Sequence, residues 1–203
     1  MTFIPQVVVT EGPLDAVAAR KVLELVHALP EEWRPVISGS NERFWMDAKR
    51  RNDAARRSGV RIAGFADLEK VDACAPEIIA EKLPEGLAAT FRLRLAVRML
   101  ENWLLADHDA MAKFLGISKA VVEKEVRLLS THPKTAIVNL ARRSKRREIR
   151  DALIPEKGSK GLVGPGYTLE MTRFIEEFWN PDSAARNDES LRRATVALRR
   201  PIP

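Results

Sequence analysis

The sequence predicts an α/β fold with a mostly parallel sheet of about four strands, flanked by helices and followed by a helical C-terminal extension. The first observation is that residues 7–9 are β-branched and wholly apolar, as in a strand buried on both faces of a parallel sheet. The second is that apolar residues follow at helical spacing from Leu14 to Leu29. The third is that strand and helix patterns then alternate, which implies parallel strands joined by helices.

The first helix begins where the first strand stops. Gly12 permits a tight turn, and Pro13 suits the first position of a helix. Apolar, β-branched stretches predict three further strands, at residues 34–37, 59–66 and 91–97. Helices are predicted between and after them, at residues 41–58, 75–83 and 99–106. In the fourth strand, Arg92 and Arg94 alternate with apolar residues, so we expect arginines on its outer face.

From residue 108 onward the pattern is helical, which predicts a division into an α/β core at residues 1–107 and an extension at residues 108–203. The predicted helices of the extension are 119–129, 134–150, 168–179 and 190–200. Asp107 is interpreted as a helix cap. The glycine-rich loop at residues 155–167 lacks the Lys-Ser/Thr pair of a phosphate-binding loop and follows no strand, which excludes that motif.

Composition limits the classes of protein that the chain can belong to. Hydrophobic residues make up 45% of the 203 positions, enough for a full core. The sequence has no apolar run long enough to cross a membrane and no signal-peptide start, so we expect a soluble, cytoplasmic protein without a membrane partner. The single cysteine, Cys74, excludes an internal disulfide and is interpreted as a small buried hydrophobe.

The formal net charge is +6, and most of it lies in one short stretch. Residues 142–150 carry six basic side chains and one acid, so the rest of the chain is nearly neutral. We call the five arginines of this stretch the basic cluster: Arg142, Arg143, Arg146, Arg147 and Arg150. On one continuous helix they form a single stripe that suits the phosphate backbone of nucleic acid. The alternative is a solvated helix face.

Acidic residues follow two of the predicted strands. Glu11 ends the first strand, and Asp67 ends the third, with Glu69 and then Asp72 beyond it. Because ligands bind at the carboxyl ends of parallel strands, we expect Glu11, Asp67 and Glu69 to converge. Clustered carboxylates repel one another unless a cation intervenes, and Mg²⁺ and Mn²⁺ prefer carboxylate and water oxygens. The alternative for residues 67–72 is a solvated loop.

Two further residues are candidates for catalysis. Glu101 lies at an apolar helix start, where it acts either as a general base or as a buried carboxylate paired with Arg98 or Arg94. Lys134 opens the helix that leads into the basic cluster, so we expect it to contact a phosphate. Asp15 lies in the first turn of a helix, where the helix dipole favours an acid even without a ligand.

These residues carry a resemblance to a known group of domains. Glu11-Gly12 with Asp15 is similar to the first motif of Toprim domains, found in topoisomerases, bacterial primases and nucleases of the overcoming-lysogenization-defect group. Residues 67–69 stand where those domains carry Asp-x-Asp, with Glu69 in place of the second aspartate. More narrowly, nearly the whole chain resembles a prokaryotic Toprim-like family described as domain of unknown function 4276, most specifically in the sequence ENWLLAD at residues 101–107.

The resemblance implies a divalent-metal-dependent nuclease that hydrolyses phosphodiester bonds in nucleic acid. Glu11, Asp67 and Glu69 would hold Mg²⁺ or Mn²⁺, and Glu11 or Glu101 would act as general base. It also implies a partner ATPase and a role in defence against foreign nucleic acid. Two alternatives stay open: a Toprim-like module that binds nucleic acid or protein without cleavage, and a primase-like nucleotidyl transferase, which is less favoured because the sequence shows no zinc-binding element.

Overall fold

Four strands form an all-parallel sheet in the computed structural model, which describes residues 3–69, 74–127 and 132–201. The strands are β1 (Val7–Thr10), β2 (Val36–Ile37), β3 (Ile62–Asp67) and β4 (Phe91–Ala96). Their order across the sheet is β2-β1-β3-β4. The predicted α/β fold, with flanking helices and a helical C-terminal region, is confirmed, and its layout agrees with a Toprim-like arrangement.

Eleven helices are present in these described ranges. Those that accompany the sheet in sequence are α1 (Pro13–Leu25), α2 (Asn41–Ser58) and α3 (Ala75–Lys82). Those that follow β4 are α4 (Leu100–Leu105), α5 (His108–Leu115), α6 (Lys119–Arg127), α7 (Pro133–Ala141), α8 (Arg147–Leu153), α9 (Tyr167–Glu177), α10 (Pro181–Ala185) and α11 (Glu189–Arg199). None of the helices in the described part of the chain has the length and apolar content needed to cross a membrane.

The start of α1 shows how local sequence sets the turn after β1. The amide of Gly12 donates a hydrogen bond to the Asp15 carboxylate at 3.0 Å, so this acid caps its own helix. A Cβ atom at residue 12 would lie 3.0 Å from that carboxylate oxygen, which is why glycine suits the position. The helix ends at Leu25 rather than at Leu29, and His27 beyond it adopts a φ of 54°.

Helices pack against the sheet in two separate groups. One hydrophobic core lies where α2 and α3 pack on β3 and β4, with Phe44, Trp45, Ile62, Ile78 and Leu93 among its buried members. Separately, α11 packs on β4 and also contacts α1. Helices that cover both faces are typical of parallel sheets, whose strands are buried on both sides.

The chain divides into two compact units. The first comprises residues 1–100 together with 189–203, and the second comprises residues 101–188. The expected boundary between residues 107 and 108 stays a prediction. Asp107 does cap α5, as interpreted from sequence, since its Oδ1 accepts a hydrogen bond from the Ala110 amide at 3.2 Å. Asp72 and the last two residues of the helix predicted at 119–129 lie outside the described residues.

The single helix predicted over residues 134–150 is wrong. The structure has two helices there, because α7 ends at Ala141 and α8 begins at Arg147. Ser144 explains the break: its hydroxyl donates to the Leu115 carbonyl at 2.5 Å and accepts from the Arg146 amide at 3.1 Å. A serine hydroxyl that bonds nearby backbone groups competes with helical hydrogen bonding, and here it replaces it.

The interpretation of Cys74 as a buried hydrophobe is also wrong. Its side chain is exposed, and the residue occupies the N-cap position of α3, with extended backbone angles. Cys74 precedes Ala75, the first residue of α3, so the helical spacing of apolar residues does not determine whether its side chain is buried.

Candidate functional site

The carboxyl ends of β1 and β3 flank the point where the strand order reverses. From β1 the chain passes to β2 on one side of the sheet and then returns to β3 on the other side. Glu11 follows β1 directly, and its amide donates to the Phe65 carbonyl of β3 at 3.2 Å, while Asp67 is the last residue of β3. In open α/β sheets this crevice is where ligands bind, so both acids lie where a ligand is expected.

Asn41 connects the two acids. Its side-chain nitrogen donates to Oε2 of Glu11 at 2.9 Å and contacts the main-chain carbonyl of Asp67 at 3.4 Å. It is the first residue of α2, whose N-terminus is fixed by the Ser40 hydroxyl, which accepts from the Arg43 amide. We call Glu11, Asn41 and Asp67 the edge site.

Asn41 is not among the site residues predicted from the sequence, although the sequence does contain a signal for it. The N-cap serine at residue 40 closes a short strand, and helices that follow parallel strands begin at the carboxyl edge of the sheet. A polar residue in the first turn of such a helix therefore faces the same crevice as the strand-end acids.

The Asp67 carboxylate is held in place from the other side of β3. Its Oδ1 accepts a hydrogen bond from the Leu100 amide at 2.7 Å, and the residue is half-buried. Glu69 differs, since it is exposed and adopts a φ of 60°, with its amide donating to the Arg98 carbonyl at 2.8 Å. Among the described residues, no group of three or more His, Cys, Asp or Glu side chains is arranged to hold a metal ion.

Glu69 instead lines an open groove that begins at Asn41. This groove has a volume of about 540 Å³, and its other lining residues are Glu42, Trp45, Met46, Lys49 and Lys82. Both lysines are exposed, and Lys82 has a 3.0 Å ion pair with Glu81. Glu42 and Glu69 balance the two lysines, so the lining of the groove has no net charge.

Glu101 and Lys134 meet in the second unit. Glu101 is only 3% exposed, and its Oε1 accepts a hydrogen bond from the Tyr167 hydroxyl at 3.2 Å. The Lys134 Nζ lies 3.9 Å from the same oxygen, and its side chain is 36% exposed. The structure therefore gives this buried carboxylate a lysine and a tyrosine as partners, a set that the sequence-based alternatives did not include.

The basic cluster does not form one stripe, because the break between α7 and α8 separates its members. Arg142 and Arg143 are exposed and follow α7. Arg150 is half-buried and donates to the Ser144 carbonyl at 2.5 Å, and the Arg146 side chain packs beside Gly116. Arg147 is exposed, with a 3.4 Å ion pair to Asp151. Two of the five arginines therefore hold the local fold.

Comparisons of the chain with known protein families, with curated proteins and with solved structures found no match. The resemblance to a Toprim-like family therefore stays a prediction, and the residues themselves carry the functional argument.

Proposed function

We propose that the edge site binds a divalent cation and supports hydrolysis of phosphodiester bonds in nucleic acid. The observation that carries the proposal is the Asn41 amide, which contacts both the Glu11 carboxylate and the Asp67 backbone at the switch point of the sheet. Asn41 thereby holds the Glu11 carboxylate beside the end of β3, at the edge where open α/β sheets bind their ligands.

The donor set fits Mg²⁺ or Mn²⁺ better than other metals. It consists of carboxylate oxygens, without the cysteine and histidine ligands that zinc favours. Two carboxylates suffice for Mg²⁺, which keeps several waters and completes its shell with substrate phosphates.

Each residue has a separate part in this proposal. Glu11 and Asp67 would hold the cation, which when bound polarises a phosphoryl oxygen and lowers the pKa of a coordinated water. Asn41 orients the Glu11 carboxylate by donating to one of its oxygens. Lys49 and Lys82 of the adjoining groove would contact individual phosphates, while Glu42 and Glu69 leave the groove without net charge. The parts proposed for Glu69 as a ligand and for Glu101 as general base rest on the sequence.

A cleavage assay tests the proposal. Labelled single- and double-stranded DNA and RNA are incubated with the protein in Mg²⁺, Mn²⁺ or chelator. We expect cleavage with metal only, lost in Glu11→Gln and Asp67→Asn. Two matched changes away from the edge site, Glu77→Gln in α3 and Asp53→Asn in α2, should retain it.

A non-catalytic binding module is the second candidate. The observation that favours it is again the small number of carboxylates: a cation held by two acids without a substrate is weakly bound. Two results together would support this candidate against hydrolysis. The protein would bind labelled nucleic acid without cleaving it in any metal, and its Asp67→Asn variant would bind equally well. The primase-like alternative, the partner ATPase and the defence role rest on the resemblance alone.

A further inference from the structure

Arginines gather between β4 and α11, on a part of the first unit that is distinct from the edge site. They line a groove of about 340 Å³ whose six residues are Arg94, Arg192, Arg193, Val196, Ala197 and Arg200. We call this space the arginine groove. The alternation in β4 predicts Arg94 on the outer face of a half-exposed strand, but α11 packs on β4 and leaves this side chain half-buried.

The positive charges of the arginine groove are only partly compensated. Glu189 pairs with Arg192 at 2.6 Å and with Arg193 at 2.7 Å, and these hydrogen bonds lower the pKa of the Glu189 carboxyl. Neither Arg94 nor Arg200 has a carboxylate partner in the part of the chain that the structure describes. Four arginines face one acid, which leaves three net positive charges in the groove.

Arg94 shows the cost of this arrangement most directly. Its Nε atom is buried and has no hydrogen-bond partner within the described residues. Burial lowers the pKa of Arg94 to about 10, and the charges of Arg92 and Arg200 act in the same direction. A buried donor atom without an acceptor is unfavourable, and an anion in the groove would supply the acceptor.

An apolar cavity of about 390 Å³ adjoins the arginine groove. The two spaces share Arg94 and Arg193, while Leu93, Leu95 and Ile79 contribute apolar walls to the cavity. Their volumes are in the range of small-molecule sites, which is roughly 300–1,000 Å³. A ligand that fits both has an anionic end and a less polar body.

We propose that the arginine groove and its cavity bind a nucleoside triphosphate, with the phosphates on Arg94, Arg193 and Arg200 and the nucleoside in the cavity. Guanidinium groups bind phosphate oxygens in pairs, which makes arginine the side chain suited to this task. A triphosphate carries enough negative charge to balance the three positive charges of the groove. The base offers a planar, weakly polar surface to the leucine and isoleucine side chains.

Isothermal titration calorimetry in the presence of chelator tests this proposal independently of the metal at the edge site. The probes are ATP, adenosine and inorganic triphosphate. We expect ATP to bind at least about tenfold more tightly than inorganic triphosphate, and adenosine not to bind. Equal binding of ATP and inorganic triphosphate would overturn the assignment of the cavity, and no binding of ATP would overturn the proposal as a whole.

Three variants locate the binding. Arg94→Gln and Arg200→Gln should each weaken ATP binding at least about tenfold, as expected for loss of a charged hydrogen bond. The matched control is Arg199→Gln, which removes the same charge from α11 at a position outside the groove and should change the affinity less than about twofold. Arg200 is exposed, so its variant keeps the test valid even if Arg94→Gln does not fold. Equal weakening by Arg199→Gln and Arg200→Gln would show general charge attraction and contradict the site.

Discussion

Replacing Asn41 tests whether the edge site is held together by this one side chain. The variant Asn41→Ala removes a 2.9 Å hydrogen bond to the Glu11 carboxylate and a longer contact, at 3.4 Å, to the Asp67 carbonyl. Glu11 and Asp67 then keep their charges without the donor between them. We expect lower stability and, because Glu11 is no longer oriented, weaker cation binding.

The magnitude follows from the two contacts. A hydrogen bond to a charged group contributes about 1.5–3 kcal/mol, and we take the lower end because Asn41 and Glu11 are only half-buried. The 3.4 Å contact is long for a hydrogen bond and adds little. For a chain of this size each kcal/mol shifts the melting temperature by roughly 2–4 °C, so we expect a fall of about 3–6 °C.

Thermal unfolding followed by circular dichroism, with and without Mn²⁺, provides the measurement. The control Arg50→Ala changes an exposed residue farther along α2 and should leave the midpoint nearly unchanged. The variant Asn41→Asp adds a third carboxylate, so it should be less stable than Asn41→Ala in chelator and gain more from Mn²⁺. Two results would refute this account of the edge site. One is an Asn41→Ala variant with the same melting temperature as the parent protein, and the other is equal stabilisation of Asn41→Ala and Asn41→Asp by Mn²⁺.

Three further outcomes are expected. In urea denaturation, Gly164→Ala should lower the unfolding free energy by about 1–3 kcal/mol, because a Cβ atom there would lie 2.6 Å from the Ile154 carbonyl oxygen. The control Gly161→Ala should have little effect. Changing Arg142 and Arg143 to glutamine should weaken the dependence of the log binding constant for nucleic acid on log salt concentration, by roughly 0.7–0.9 for each phosphate that these arginines contact. If fluorescence anisotropy shows an unchanged dependence, the two arginines belong to a solvated surface. The pKa of Arg94 is lower in the folded protein, at about 10, than its ordinary value. The charged guanidinium therefore destabilises the folded state below about pH 10, and this destabilisation decreases as the pH rises above that value. Arg94→Met should therefore raise the melting temperature at about pH 8, more at low salt than at high salt, and a lower melting temperature would contradict this.

The strands and the helices between them could be predicted because local patterns determine them. The apolar β-branched run of β1, the Gly12 and Pro13 signals and the serine before α2 each act within a few residues. The helix predicted at residues 41–58 has the same bounds in the structure, where α2 spans Asn41–Ser58. These features depend on backbone preferences that hold regardless of the rest of the fold.

The misses share a different cause, which is contact between residues far apart in sequence. The break after α7 depends on the hydrogen bond from the Ser144 hydroxyl to the Leu115 carbonyl. The spacing of apolar residues over 134–150 gives no information about Leu115. Asn41 lies 30 positions from Glu11, so only the strand order brings the two together. Arg94 is half-buried because a helix nearly 100 residues later packs on its strand. Sequence patterns predict which residues share a face, but not what covers that face.

The central claim is that Glu11 and Asp67 hold one divalent cation, and Mn²⁺ titration by calorimetry tests it most directly. The parent protein and the Glu77→Gln control should bind one Mn²⁺ with the same affinity, while Glu11→Gln and Asp67→Asn should lose that binding because each removes a charged oxygen ligand. Absence of Mn²⁺ binding by the parent protein, or binding by Asp67→Asn equal to that of the parent, would contradict the claim.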